Sequence, residues 1–268
     1  MNTTDKMDNK ETQIENRYRR DLEIPCFQTD AAFLLKPAAF MDLAQEMAYH
    51  AATRLGFGYD DLQVHHTAWV LSRMHFKFNN PPRWRDRVSL FTWHKGTDGL
   101  MFLRDFELRQ DGDTDFADKS KVLVSCTTSW IVMDTETRRL VRSEDVLNMI
   151  PFETQCHDNA IAQPCPQVAM PRGDEPEYVG EHKVAYSDVD IIGHTNNARY
   201  IVLAMDCIDY DIAVRQPVKE VFIVFSRETK PGESISLYRI CEENEDGRTY
   251  TIEGKVDEKS CFCARISF

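Results

Sequence analysis

Two stretches of the chain carry apolar residues at a helical period, one in each half. The first follows Pro37, a residue that suits the opening turn of a helix. The second follows Thr195 and comes after a short polar turn. The residues that define the two apolar faces are Phe40, Leu43, Ala44, Met47 and Ala51 in the first half, and Ala198, Ile201, Val202, Met205 and Ile208 in the second. The sequence therefore predicts one amphipathic helix in each half.

After each predicted helix the pattern changes to the two-residue alternation of β-strands. Residues 69–78 place Met74, Phe76 and Phe78 on one face and polar residues on the other. Further strands are predicted at 100–109, 122–133, 248–256 and 261–267. One helix followed by antiparallel strands, twice over, predicts an α+β fold in which each sheet packs one face on its own helix.

The order of these patterns divides the chain into four segments. Residues 1–15 are polar and charged and are expected to form a flexible tail. Residues 16–150 form the first predicted unit and residues 181–268 the second. Between them, residues 151–180 are rich in proline and lack periodicity, which is typical of a linker.

Composition excludes several classes of function. The chain has 268 residues and a formal net charge of −12, which argues against general nucleic-acid binding because that needs a basic surface. No apolar run is long enough to span a membrane. The eight cysteines show neither a disulfide framework nor the spacing of zinc ligands, and Cys261 and Cys263 alternate within a predicted strand. We expect a cytoplasmic protein without a metal or an organic cofactor.

Candidate chemistry lies where the second half turns into its helix. Asp190 and His194 immediately precede the predicted helix start at Thr195 to Asn197. The open end of a helix offers unpaired N–H groups and a positive dipole, which stabilise an oxyanion. The N–H groups around His194 to Asn196 are therefore expected to hold a reacting oxyanion, with Asn196 and Asn197 as supporting residues.

The internal repeat provides a comparison for these residues. The first half carries Leu or Phe near positions 32–34, Lys36 and Pro81 where the second carries Asp190, His194 and Glu228. Taken singly, each of the three is more often a turn, loop or surface residue. Taken together, they predict one catalytic half and one supporting half.

An ordered set of motifs resembles the acyl-ACP thioesterases of bacteria and plants from about Tyr18 to the C-terminus. The motifs are Asp-x-Asp-x-x-Gly-His-x-Asn-Asn-x-x-Tyr at 188–200, Trp-Val-Leu-Ser-Arg at 69–73, Thr-Trp at 92–93, Arg-Asp-Phe at 104–106, Ser-Trp-Ile-Val-Met-Asp at 129–134 and Arg-Glu-Thr-Lys at 227–230. The resemblance implies two tandem hot-dog units, each an antiparallel sheet wrapped around a long helix. It also implies hydrolysis of the thioester that joins a fatty acyl chain to the phosphopantetheine arm of acyl carrier protein.

The family's catalytic Asp, His and carboxylate fall on Asp190, His194 and Glu228. Two positions depart from the plant pattern: Ile192 replaces an Asn and Thr229 replaces a Cys, so no cysteine nucleophile follows the glutamate. We expect Glu228 and His194 to activate water while Asp190 orients the thioester or the imidazole.

The acyl chain is expected to lie along the first helix and its sheet, although for any single wall residue a position in the plain core is the stronger interpretation. The expected wall residues are Phe40, Met47, Trp69, Met74 and Phe76. Two other functions stay open: an acyl-CoA thioesterase and a non-hydrolytic acyl-binding protein, which Ile192 favours. A tandem pair within one chain is compatible with a monomer or a homodimer.

Overall fold

A computed structural model describes residues 12–147, 155–173, 175–245 and 247–268. The first half contains β1 (Thr12–Ile14), β2 (Arg17–Glu23), α1 (Pro37–Arg54), α2 (Tyr59–Gln63), β3 (Thr67–Phe78), β4 (Arg87–Asp98), β5 (Met101–Gln110), β6 (Val122–Asp134) and α3 (Ser143–Leu147). The second half contains β7 (Glu177–Lys183), α4 (Asn197–Asp206), α5 (Tyr210–Arg215), β8 (Glu220–Phe225), β9 (Ser234–Asn244), β10 (Gly247–Val256) and β11 (Lys259–Ser267). Every strand and helix predicted from the sequence is present.

The strands form one antiparallel sheet with the order β1-β2-β4-β5-β6-β3-β8-β11-β10-β9-β7. The run β2-β4-β5-β6-β3 of the first half recurs as β7-β9-β10-β11-β8 in the second. The repeats meet where β3 pairs with β8, from Arg73 opposite Val224 to Lys77 opposite Glu220. The sequence predicted two sheets and did not indicate this seam between them.

Each repeat wraps its sheet around its own helix. Helix α1 begins at Pro37, as predicted, and buries Phe40 and Met47 against the inner face of the first repeat. Helix α4 begins at Asn197, and the side chain of Asn196 caps it by accepting a hydrogen bond from Ala198 N–H at 2.8 Å. This architecture confirms the predicted α+β fold with two tandem hot-dog units.

The N-terminal segment is more ordered at its end than the sequence indicated. Residues 1–11 of the expected tail lie outside the described residues. Thr12–Ile14, however, pair with the start of β2, from Thr12 opposite Arg19 to Ile14 opposite Arg17. The polar composition hid this strand because an edge strand needs no continuous apolar face.

The connection between the repeats packs on the outer face of the sheet. Asp158 accepts a hydrogen bond at its carbonyl from Trp93 Nε1 at 2.8 Å in the first repeat. Further along, Cys165 packs with Phe222 and Val224 of β8 in the second. Strand β7 begins within the expected linker, and residues 151–154 and 174 lie outside the described residues. The division of the chain at 150 and 181 stays a prediction.

Candidate active site

A tight turn holds His194 in front of α4. Asp190 N–H donates to the carbonyl of His194 at 3.0 Å, and Asp190 Oδ1 accepts from Ile192 N–H at 2.9 Å. Gly193 has φ +82°, a conformation that glycine adopts without strain. The turn is therefore fixed by its own backbone and by the Asp190 carboxylate.

The first repeat contains the same turn, built on Asp30. Asp30 N–H donates to the carbonyl of Leu34 at 2.9 Å, and Asp30 Oδ1 accepts from the amide two residues on at 2.8 Å. The structure therefore pairs Asp30 with Asp190 and Leu34 with His194. The sequence comparison was wrong to count an acid as special to the second half, because an aspartate closes this turn in both repeats.

The position of Glu228 is also fixed by a bond that both repeats share. Thr195 N–H donates to the carbonyl of Thr229, the residue after Glu228, at 2.9 Å. In the first repeat Leu35 N–H donates to the carbonyl of Pro82, the residue after Pro81, at 2.8 Å. Glu228 and Pro81 are thus equivalent, as the sequence comparison had them. The chemical asymmetry between the repeats lies in the imidazole and in this carboxylate.

The structure brings His194 and Glu228 into contact. Nδ1 of His194 lies 3.2 Å from Oε2 of Glu228, and the side chains are 24% and 32% exposed. Among the described residues, no hydrogen bond or ion pair joins the Asp190 carboxylate to either of them. The site contains a histidine–carboxylate pair that solvent can reach, beside an aspartate occupied in its own turn.

Arg138 of the first repeat also contacts this pair. Its guanidinium lies 2.8 Å from Oε1 of Glu228 and is 54% exposed, so each carboxylate oxygen has one partner. Arg138 has φ +59° in the turn that follows β6. In the sequence Arg138 lies close to two other arginines, Arg139 and Arg142, as in an ordinary solvated surface segment. No local pattern could identify it, because its partner lies in the other repeat.

Asn196 and Asn197 connect the two central helices. Asn197 Nδ2 donates to Oε1 of Gln45 on α1 at 2.9 Å, and Gln45 Nε2 donates to Asn196 Oδ1 at 3.4 Å. The expectation that the backbone N–H groups of Thr195 and Asn196 hold an oxyanion was wrong. Those groups donate to the carbonyls of Thr229 and Asp188. Gln45 had no distinguishing signal in the sequence.

Asp188 anchors the start of the turn that contains His194. It is buried, which alone would raise its pKa, but it accepts hydrogen bonds from Ala185 N–H and His182 Nε2, both at 2.8 Å. Arg199 adds a contact at 3.1 Å. These partners favour the charged form, so the pKa of Asp188 is lowered from its usual value. Asp188 therefore serves as a charged structural anchor.

A cavity of about 900 Å³ borders this turn. It lies beside α1 and the inner face of β3, β4, β5 and β6, and Asp190, Ile192 and Asn196 belong to its wall. Apolar side chains such as Phe57 and Phe102 line much of the rest. The cavity can therefore receive a hydrocarbon chain whose head group lies near the turn.

Of the five expected wall residues, the structure places one on this cavity. Trp69 lines it and donates its indole N–H to the carbonyl of Phe57 at 3.0 Å. The other four are fully buried in the core between α1 and the sheet; they are Phe40, Met47, Met74 and Phe76. Alternation shows which side chains face inward, but it does not show whether the interior is filled or empty.

Known protein families match both repeats. The model of the acyl-ACP thioesterase N-terminal domain matches residues 15–150, and that of the C-terminal domain matches residues 173–266. The chain belongs to the acyl-ACP thioesterase family. This membership confirms the resemblance inferred from the sequence motifs.

Two plant relatives in this family are named as oleoyl-acyl carrier protein thioesterases of the chloroplast. The protein from Coriandrum sativum is 22% identical over 257 residues, which are 88% of this chain and 66% of the relative. Thioesterase 1 of Arabidopsis thaliana is 26% identical over 209 residues, which are 72% of this chain and 55% of the relative. The chain thus spans about half to two thirds of the length of these curated relatives.

Solved structures of acyl-ACP thioesterases share the fold. The 12:0-ACP thioesterase from Umbellularia californica has a TM-score of 0.82 at 19% identity, over 94% of this chain and 93% of that one. An acyl-ACP thioesterase from Bacteroides thetaiotaomicron has a TM-score of 0.74 at 20% identity, over 94% and 98%. At this identity the likeness concerns the fold alone.

In this family member, Thr229 occupies the position where the plant pattern has a cysteine. Its hydroxyl is buried, 2.6 Å from the Thr195 hydroxyl and 2.9 Å from the Tyr200 hydroxyl. Ile192 replaces the plant asparagine and lies exposed on the cavity wall. Thr229 therefore has a structural role here, and Ile192 presents an apolar side chain to the cavity.

All eight cysteines are free thiols. In the parts of the chain that the structure describes, no three His, Cys, Asp or Glu side chains converge as metal ligands. No described helix is both long and apolar enough to cross a bilayer.

Proposed function

We propose that this chain hydrolyses the thioester between a fatty acyl chain and the phosphopantetheine arm of acyl carrier protein. The reaction releases the free fatty acid and so ends chain elongation in fatty acid biosynthesis. The observation that carries the proposal is the His194–Glu228 contact in a turn that borders a cavity of about 900 Å³, in a member of the acyl-ACP thioesterase family.

The chemistry makes two demands on the site. The thiol that is released has a pKa of about 8.5, so its thiolate leaves with little help from an acid. The attacking water needs a base, and the tetrahedral intermediate needs a donor for its oxyanion.

His194 supplies the base in this proposal. Oε2 of Glu228 lies 3.2 Å from Nδ1 of His194 and favours a proton on that nitrogen, which leaves the lone pair on Nε2 to take a proton from water. The imidazolium that forms is stabilised by the same carboxylate. Arg138 holds the other oxygen of Glu228 and so fixes the carboxylate plane. Arg138 thus positions Glu228 without touching the substrate.

Asp190 and Asn196 complete the site. Asp190 uses Oδ1 within the turn, and its Oδ2 orients the thioester or the water. Asn196 lines the cavity, and its Oδ1 caps α4, which leaves Nδ2 to donate to the oxyanion. Asn197 supports this arrangement through its bond to Gln45 on the opposite helix.

Acyl carrier protein is the proposed partner, and the cytoplasm is the proposed compartment. The eight free thiols, two of them exposed at Cys26 and Cys241, are compatible with a reducing environment.

The test compares thiol release from palmitoyl-ACP and palmitoyl-CoA by the wild type, Glu228→Ala and Glu242→Ala. Glu242 is an exposed carboxylate on β9 and serves as the matched control. We expect release from palmitoyl-ACP that is lost in Glu228→Ala and unchanged in Glu242→Ala. Faster release from palmitoyl-CoA would assign an acyl-CoA thioesterase. No release across a panel of short to long chains would contradict hydrolysis and indicate an acyl-binding protein.

A further inference from the structure

One part of the cavity wall is polar, although the proposed substrate is a hydrocarbon chain. His94 on β4 and Arg104 on β5 both line the cavity. They are direct partners in the register of the two strands, so their Cβ atoms lie about 5 Å apart on the same inner face. Two polar side chains therefore line the cavity as a pair.

His94 presents a hydrogen-bond acceptor that no described residue satisfies. Its side chain is buried, with 7% exposed, and Nδ1 lies 3.1 Å from the carbonyl of Leu103. That contact places the ring proton on Nδ1, because a carbonyl only accepts. Nε2 then carries a lone pair and has no partner among the described residues. Burial and the charge of Arg104 lower the pKa of His94 to about 4, so the lone pair persists at neutral pH.

Arg104 contributes hydrogen-bond donors, and few acceptors among the described residues lie within reach of them. Its one hydrogen bond to a described side chain is a long one, 3.4 Å from NH1 to the hydroxyl of Thr92. No carboxylate of the described residues lies within ion-pair distance. Burial lowers its pKa to about 10, which still leaves it charged at neutral pH. A half-buried guanidinium without a carboxylate is costly unless another polar group binds it.

We propose that His94 and Arg104 form a subsite for a hydroxyl group carried by the acyl chain, so that hydroxyacyl thioesters are preferred substrates. The proposal rests on the proposed function. A hydroxyl donates to Nε2 of His94 and accepts from Arg104 at the same time, and a methylene does neither. A carboxylate matches Arg104 but opposes the lone pair of His94. The hydroxyl is therefore the group that satisfies both side chains.

The first test uses the wild type alone. Palmitoyl-ACP competes against palmitoyl-ACP that carries a hydroxyl at the third carbon, at mid-chain or at the terminal carbon, and the free acids are quantified. We expect kcat/KM for one hydroxylated isomer to exceed that of the plain chain by at least about 10-fold, since two hydrogen bonds are gained, one of them to a charged group. The isomer that is preferred measures how deep the subsite lies.

Two variants separate the subsite from a merely structural role. His94→Leu removes the acceptor and is expected to abolish the preference for the hydroxylated chain. His94→Gln restores an acceptor and is expected to recover part of the preference. The ratio of the two kcat/KM values is the readout, because a general loss of folding lowers both together.

Two results would overturn the subsite. One is equal or faster hydrolysis of the plain chain against every hydroxylated isomer. The other is a preference for a chain with a terminal carboxylate over all the hydroxylated ones. Failure of the proposed function is distinguishable, since in that case no thioester of the set releases a thiol.

Discussion

The contact between His194 and Glu228 sets the size of one effect that can be measured directly. Glu228→Gln keeps the shape of the side chain but removes the charge that, in the proposed mechanism, stabilises the imidazolium in the transition state. At 3.2 Å two unit charges attract by about 5 kcal/mol at an effective dielectric of about 20, and by about 1.3 kcal/mol in bulk water. Both side chains are partly exposed, so we expect a value between these limits, about 2–3 kcal/mol. This corresponds to a loss of roughly 10²-fold in kcat.

The assay is a double-mutant cycle on thiol release from acyl-ACP, with Glu228→Gln, His194→Ala and the double variant. If the carboxylate acts through the imidazole, the double variant is no slower than His194→Ala alone. Losses that simply add would refute this coupling and assign Glu228 an independent role. Near-wild-type rates in both single variants, with unchanged thermal unfolding, would refute the catalytic assignment itself.

Three further predictions concern Arg138, Gly193 and His94. Arg138→Met is expected to lower kcat by roughly 3- to 10-fold, because a half-exposed ion pair contributes about 1 kcal/mol. Steady-state kinetics measure this loss, and the control Arg139→Met is expected to leave kcat unchanged. Gly193→Ala is expected to destabilise the fold by about 1 kcal/mol in urea unfolding, because φ is +82° while no atom within 4 Å crowds the added Cβ. The pKa of His94 is about 4 in the folded protein and about 6.5 in the unfolded chain. The unfolded chain therefore binds the proton first, and the free energy of unfolding decreases as the pH falls from about 6.5 to about 4. Between about pH 7 and 5 the wild type should therefore lose about 2 kcal/mol more than His94→Gln, and equal losses would contradict a neutral buried His94.

Local sequence pattern accounts for the elements and for part of the site. Pro37 and Asn196 marked the two helix starts because a fixed φ and a capping oxygen act within one turn. The same local chemistry identified the turn that contains His194. The comparison of repeats correctly paired Glu228 with Pro81, but it misplaced the turn by a few residues and so missed Asp30.

What the sequence did not indicate depends on contacts between distant segments. The pairing of β3 with β8 has no local signal, because an inner strand and an edge strand have the same alternation. Arg138 reaches Glu228 across the two repeats, and Gln45 reaches Asn197 in the same way. His94 and Arg104 become a pair only once β4 and β5 are in register.

The seam between β3 and β8 has a consequence for how the two repeats evolve and unfold. Hydrogen bonds along the seam and the connection packed across the outer face tie the first repeat to the second, so neither can open without exposing apolar surface of the other. We therefore expect the two repeats to unfold together as one cooperative unit. A substitution that reshapes the cavity in the first repeat and lowers the free energy of unfolding therefore also destabilises the fold that holds His194 and Glu228 in place. The overall stability of the fold therefore limits which substitutions the cavity can accept, even at positions far from His194 and Glu228.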